Sequence, residues 1–180
     1  MKGVFVLGQF FNAVFLAPDS EEILGVTFSR VLKISESGVF RYHCVRPIES
    51  VERLLTEPVR VVWAGDDADP ETDHPDPTNL HMRGLDAPSL PRLEQGPVAR
   101  YLLNHDRRRY VDKSPADNQR WHVHPLVILT AEGWYEGGDH IGDWARERIS
   151  VADTVPAGFE ELAFTYTYPI PLLTKETGHV

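Results

Sequence analysis

The sequence has little cysteine and no long apolar run, and both absences exclude whole classes of protein. With the single residue Cys44, the chain cannot form an internal disulfide, which excludes a disulfide-stapled scaffold. Cys44 lies in an apolar, strand-like run, so we predict a small buried side chain rather than a nucleophile. No segment approaches the ~20 apolar residues that a transmembrane helix needs.

The sequence also lacks the motifs of common catalytic and cofactor sites. It has no nucleophile elbow, no His-Glu-x-x-His, no Cys-x-x-Cys and no phosphate-binding glycine loop. An acidic segment near residue 70 resembles a calcium loop in charge alone, because it lacks the glycine and the terminal glutamate. A catalytic or cofactor site in this chain would therefore be formed by a cluster of side chains outside these motifs.

The charge balance is acidic, with 27 Asp and Glu against 18 Lys and Arg and a net charge of −9. Such a chain repels nucleic acid phosphates and anionic lipid, so we expect neither a nucleic acid nor a membrane partner. The negative charge favours a basic protein partner, or it simply keeps the protein soluble. At 180 residues we predict one domain over 1–180, which buries roughly 70% of the surface that its unfolded chain exposes.

The first 17 residues loosely resemble a signal peptide, because Lys2 precedes an apolar run that ends near Ala17. Gln9 and Asn12 interrupt that run, and its residues fit strands equally well. We therefore predict a cytoplasmic protein.

Periodicity predicts strands and one helix in the first third of the chain. The helix extends from Pro47 to Glu57, because Ile48, Val51, Leu54 and Leu55 form one apolar stripe and Pro58 ends it. Glu49 and Glu52 would lie near its start, where the helix dipole favours acids. The predicted strands are residues 3–7, 10–17, 25–34, 39–45 and 59–64.

Residues 65–97 form the longest stretch without a regular pattern. Six acids fall within residues 66–76, among them Asp66 and Asp67, so this part should be exposed and mobile. Residues 84–97 continue as a proline-rich and glycine-rich connection. A connection of this length is either an insertion or a functional lid.

The remaining chain predicts more strands. The segments are a hairpin of residues 98–104 and 110–113, a strand at 125–130, a glycine-rich loop at 132–142, a helix or strand at 142–151, a strand at 159–168 and a frayed tail at 174–180. The predicted fold is α+β, with a mostly antiparallel sheet and one or two short helices.

The stretch from Trp121 to Arg148 is the most probable place for a site, because it holds three of the four tryptophans and three of the eight histidines. His-x-His on an extended segment places two imidazoles on one face, which is a common start for a metal site. The predicted ligands of a divalent transition metal are His122, His124, Asp139 and His140, with Asp143 as a further option. In this hypothesis Glu136 and the histidines perform acid–base catalysis.

The alternative is an acidic, aromatic contact surface without a cofactor. Large aromatics in a glycine-rich loop are typical interface anchors, and the acids around this loop disfavour an anionic ligand there. Trp63 and Trp144 are predicted to lie in the core. The predicted binding residues are Trp134, Tyr135, Asp139, Asp143, Asp66, Asp67, Arg107 and Arg108.

Three phrases resemble a family of small bacterial proteins to which no activity is attached. They are YLLNHDRRRYVD, HPLVILTAEG and EGGDHIGDWARERI, within residues 100–150. The resemblance implies that the hairpin and the following segment form one structural unit.

The sequence features described above favour two functions. The first is a bacterial interaction module, such as an immunity or antitoxin protein, which masks a basic partner through its acidic surface. The second is a small metal-dependent or acid–base enzyme with its site in 122–143, under a lid formed by 65–97. Binding of a small molecule near Trp134 is a third possibility.

Overall fold

The computed structural model describes residues 10–27, 40–41, 45–72, 78–114, 121–122, 124–133 and 140–164. The helices in this part are α1 (Val45–Glu52), α2 (Leu80–Gly84) and α3 (Pro125–Leu129). The strands are β1 (Phe11–Leu16), β2 (Ile23–Thr27), β3 (Phe40–Arg41), β4 (Val59–Gly65), β5 (Tyr101–Asn104), β6 (Arg109–Asp112), β7 (Trp121–His122), β8 (Ala131–Glu132), β9 (Arg148–Ala152) and β10 (Glu160–Glu161).

Eight of these strands form one mixed sheet in the order β10-β6-β5-β9-β4-β1-β2, with β8 paired to β4. The pairs β10–β6 and β4–β8 are parallel, and the other pairs are antiparallel. Strands β3 and β7 form a separate antiparallel pair. A mixed sheet with three short helices is compatible with the predicted α+β class.

The centre of the sheet is covered on both faces. Every residue of β1 is buried, and its side chains alternate between two core clusters. Phe11, Phe15 and Trp63 pack with α1 and α3 on one face. Val14 and Val62 pack with α2 on the other. Burial on both sides explains why β1 and β4 appear in the sequence as continuous apolar runs.

Helix α1 begins two residues before the predicted start and ends five residues before the predicted end. The predicted stripe is correct, since Ile48, Val51 and Leu55 are fully buried or nearly so. Beyond Glu52 the backbone tightens, because the N–H of Leu54 donates to the carbonyl of Val51, three residues back. The end of the predicted helix is therefore a tighter turn.

The strand predicted at 125–130 is wrong, because these residues form α3. Pro125 occupies the first turn, where its missing N–H costs nothing. The Thr130 hydroxyl donates to the carbonyl of Leu126 at 2.7 Å. All five helical residues are buried. A helix buried on every side shows no amphipathic period, so its sequence cannot be told from that of a buried strand.

The connection predicted as irregular contains α2 and packs onto the sheet. Asn79 caps α2 by accepting a hydrogen bond from the backbone of Met82 at 2.9 Å. Farther along, Val26 of β2 donates to the carbonyl of Pro88 and accepts from the N–H of Leu90, both at 2.9 Å. The irregular description is thus wrong for residues 80–84, whereas the role as an insertion or lid stays a prediction.

The other predictions have mixed outcomes. The hairpin is confirmed as β5 and β6, and the strand alternative is confirmed at β9, which pairs with β5. Val45 begins α1 instead of ending a strand. Within the described residues, no helix is both long enough and apolar enough to span a bilayer. Predictions for residues 3–7, 28–34, 42–44, 134–139 and 165–180 lie outside the described residues.

Candidate functional site

Only part of the predicted site can be located. His122 lies in β7 opposite Phe40, but its side chain is outside the description. Four other predicted residues also lie outside the described ranges, namely Trp134, Tyr135, Glu136 and Asp139. Among the predicted metal ligands, the structure describes the side chains of His124, His140 and Asp143.

His124 lies at the N-cap of α3 and faces a buried acid from another helix. Its Nε2 is 3.7 Å from Oε1 of Glu52, the last residue of α1. The Nζ of Lys113, which follows β6, lies 2.5 Å from the same oxygen. The side chains of Glu52, Lys113 and His124 are only 1%, 9% and 11% exposed. These three residues form a buried charged cluster, here called the Glu52 centre.

Burial dominates the electrostatics of the Glu52 centre. It raises the pKa of the Glu52 carboxyl, and the Lys113 ammonium opposes that change without cancelling it. The second carboxyl oxygen of Glu52, Oε2, is buried and has no hydrogen-bond partner within the described part of the chain. The prediction that Glu52 lies near the start of the helix is wrong, because it is the last residue of α1.

The side chains of His140 and Asp143 lie within hydrogen-bond distance of each other. Nδ1 of His140 lies 2.8 Å from Oδ2 of Asp143, although the segment is a series of turns rather than a helix. His140 has a φ of 68°, and both side chains are partly exposed. Across the described ranges, no group of three or more His, Cys, Asp or Glu side chains could hold a metal ion. The metal site stays a prediction.

The arginines at the hairpin tip have different environments. The Nε of Arg107 donates to Glu147 at 2.8 Å, whereas Arg108 is exposed and has a φ of 52°. The Asn104 side chain accepts from the N–H of Arg107 at 2.9 Å, which is ordinary turn chemistry. His105 packs beside this turn with Nε2 2.7 Å from Ser150 Oγ, and burial lowers its pKa.

Three arginines and three glutamates from six separate segments form a network that sequence reasoning missed. Arg146 contacts Glu21 and lies 2.7 Å from Glu71 and 2.5 Å from Glu132. Two further arginines complete this Arg146 network, with Arg60 at 2.5 Å from Glu21 and Arg83 at 2.5 Å from Glu71. The partners of Arg146 are 14 to 125 residues away in the chain, so no local motif marks them.

Most of the basic side chains in the described part form ion pairs with acids of the same chain. Those with an acidic partner are Arg53, Arg60, Arg83, Arg100, Arg107, Arg109, Lys113, Arg146 and Arg148. Many acids have no such partner within the described residues, among them Asp19, Glu22, Glu57, Asp66, Asp67, Asp69, Asp86 and Glu94. Within the described part of the chain, most of these acids are exposed at the surface.

The large apolar side chains that are exposed lie on or next to three neighbouring elements, β1, β2 and α2. In the described ranges they are Phe10, Leu24, Met82 and Leu85, at 39%, 48%, 49% and 48% exposure. They lie next to β1, on the outer strand β2, and on or beside α2, which packs against both strands.

The predicted binding residues Asp66 and Asp67 belong to the same region. Asp66 accepts from the N–H of Phe10 at 2.9 Å, and Asp67 is exposed. Asp86 follows α2 and is also exposed. These three acids and the four exposed apolar residues are here called the α2 surface.

Comparison with protein-family models, characterised proteins and solved structures gave no match for this chain. The resemblance of residues 100–150 to a family of small bacterial proteins therefore stays a prediction.

Proposed function

We propose that the protein is an acidic interaction module of the immunity or antitoxin type, which binds a basic protein partner. One observation carries the proposal: the exposed large apolar side chains of the described residues lie on or next to β1, β2 and α2, where acids without a basic partner also lie. The sequence placed this contact near Trp134 and Asp143. The α2 surface is a second location with described geometry.

The two kinds of residue have separate roles in this proposal. Apolar groups such as Met82 and Leu85 would form the desolvated centre of the contact, where most binding energy arises. Asp66, Asp67 and Asp86 would attract a basic partner over a longer distance and increase the association rate. Because internal ion pairs already use nearby arginines such as Arg83, the acids remain available to a partner.

Kinetic binding measurements against a panel of strongly basic proteins, at 50 to 500 mM salt, test the proposal. We expect association rates that fall steeply with salt. Replacing Met82 and Leu85 by serine should weaken binding about tenfold or more, mainly through faster dissociation. Replacing Asp67 and Asp86 by asparagine should slow association and reduce its salt dependence.

A matched control distinguishes the effect of the charges on the α2 surface from the effect of the net charge of the protein on the association rate. Glu57→Gln with Glu94→Gln removes the same two charges from exposed acids that follow or pack near α1. This variant should associate almost as fast as the unmodified protein. Association that is insensitive to salt, or an equal loss in the control, would contradict the proposal.

A metal-dependent or acid–base enzyme is the second candidate, and the Glu52 centre favours it. A buried carboxyl with a raised pKa beside a histidine is an arrangement often found in active sites. Metal analysis of the purified protein tests the metal-dependent form. Stoichiometric Zn, Mn, Fe or Ni, with a higher melting temperature on adding that metal, would support it.

A further inference from the structure

A cavity of about 190 Å³ lies between α1, the strands β2 and β4, and the connection that crosses them. Its volume equals roughly six water molecules, so it suits a single-ring or short branched organic compound. The lining residues are Thr27, Pro47, Ser50, Val51, Trp63, Ser89, Leu90 and Arg92.

Trp63 gives the cavity its first specific feature. The side chain is fully buried, and its indole Nε1–H has no hydrogen-bond partner within the described residues. A buried donor without an acceptor costs free energy, and buried indole N–H groups usually find a partner. A ligand with an acceptor atom would satisfy this donor.

The other polar lining groups also present donors. The hydroxyl of Ser50 accepts from the N–H of Leu93 at 2.8 Å, which leaves its own proton to donate. Thr27 and Ser89 contribute two more hydroxyls, and Arg92 is an exposed guanidinium without an ion pair in the described part.

Among the described residues that line the cavity there is no acidic side chain, although the chain carries 27 of them. A site with one cation, one indole donor and three hydroxyls complements an anion with several acceptor atoms. Pro47, Val51 and Leu90 provide apolar contacts for the rest of such a ligand.

We propose that this cavity binds a small carboxylic acid with an apolar body. The carboxylate oxygens accept hydrogen bonds from Arg92, Trp63 and the hydroxyls, and the apolar body lies against Val51 and Leu90. The site is independent of the α2 surface, since Trp63 and α1 share one face of the sheet and α2 covers the other.

The probes for a test are benzoate, benzamide and benzylammonium, which have one ring and differ in charge. The indole N–H signals of the ¹⁵N-labelled protein report binding, with Trp63 assigned by through-bond experiments. Benzoate should shift the Trp63 signal in a saturable manner, benzamide should bind about tenfold more weakly, and benzylammonium should cause no shift.

Arg92→Ala and Arg108→Ala remove one exposed arginine each and form a matched pair of variants. Arg92→Ala should weaken benzoate binding about tenfold and abolish its advantage over benzamide, whereas Arg108→Ala should leave both unchanged. Both side chains are exposed, so both variants should fold. No shift of Trp63 with benzoate, equal binding of benzylammonium, or equal losses in the two variants would overturn the proposal.

Discussion

The Glu52 centre and the Arg146 network both join distant segments through charged side chains, but water reaches the Arg146 network to a greater extent. In the Glu52 centre, one carboxylate and one ammonium form a pair that water hardly reaches. In the Arg146 network, three arginines share three glutamates, and the Glu21 side chain is 46% exposed.

This difference determines what the loss of one charge costs. Water cannot replace Lys113 beside Glu52, so the remaining carboxylate would be a buried, uncompensated charge. Around Arg146, a lost contact is replaced in part by solvent and in part by the other partners. The Glu52 centre should therefore be intolerant of substitution, and the Arg146 network should be tolerant.

Lys113→Met is expected to have the largest effect, since methionine keeps the length of the side chain but not its charge. We expect a loss of about 3–5 kcal/mol in the free energy of unfolding at pH 7, the range for breaking a buried ion pair. Urea unfolding followed by circular dichroism measures it. A loss below about 1 kcal/mol would show that water reaches Glu52 and would remove the contrast between the two clusters.

The pH dependence of this variant provides an internal check. Burial already raises the pKa of Glu52 above its unfolded value, and removing the ammonium raises it further. The folded state then holds a proton that the unfolded state has released, so stability falls as pH rises above the unfolded pKa. The loss should be larger at pH 8 than at pH 5. Glu52→Gln combined with Lys113→Met should recover much of it and remove this pH dependence.

Arg146→Ala is expected to have an intermediate effect. It removes contacts to Glu21, Glu71 and Glu132, and after allowance for solvent screening we expect a loss of about 1–2 kcal/mol. One molar salt should reduce the loss, because salt screens exposed ion pairs. Thermal unfolding at low and high salt measures this difference. If the loss of stability were equal at both salt concentrations, salt would not screen the Arg146 network, and this network would resemble the buried pair of Glu52 and Lys113.

Acid should also reduce the stability deficit of this variant, but at lower pH than for Lys113→Met. Burial alone would raise the pKa of Glu21, but the hydrogen bond from Arg60 and the charge of Arg146 outweigh burial and hold this pKa below its usual value. The pKa of Glu71 is lowered in the same way, by hydrogen bonds from Arg83 and Arg146 and by the charge of Arg146. This stabilisation is present above the unfolded pKa and is lost as pH falls through the folded pKa. Arg146→Ala should therefore lose less stability than the unmodified protein between pH 5 and pH 3.

The parts of the fold that could be predicted are those whose pattern is local. The β5–β6 hairpin and the apolar stripe of α1 follow from neighbours in the sequence, and both are confirmed. The strand predicted at 125–130 is wrong because α3 is buried on every side. Its sequence therefore lacks the alternation of apolar and polar residues that distinguishes a helix from a strand. Only Pro125, a favoured first residue of a helix, signalled the correct structure.

The candidate sites depend on contacts that the sequence only partly reveals. Glu52 lies four residues after Ile48 and three before Leu55, so its place on the apolar stripe of α1 could have been read from the spacing. Its partner Lys113 is 61 residues away, and no spacing rule connects the two. The same holds for Arg146, whose partners come together only through the order of strands in the sheet.

Glu132→Gln is expected to have the smallest effect and tests tolerance most directly. Arg146 loses one of its three carboxylates but keeps Glu21 and Glu71, and the new amide oxygen can still accept a hydrogen bond from the guanidinium. We expect a loss of about 0.5 kcal/mol at low salt and almost none in one molar salt, measured by urea unfolding. A loss above about 2 kcal/mol would mean that the three carboxylates act as one unit. Solvent and the remaining glutamates would then not compensate for a missing partner, and partial exposure would no longer explain the difference between the two clusters.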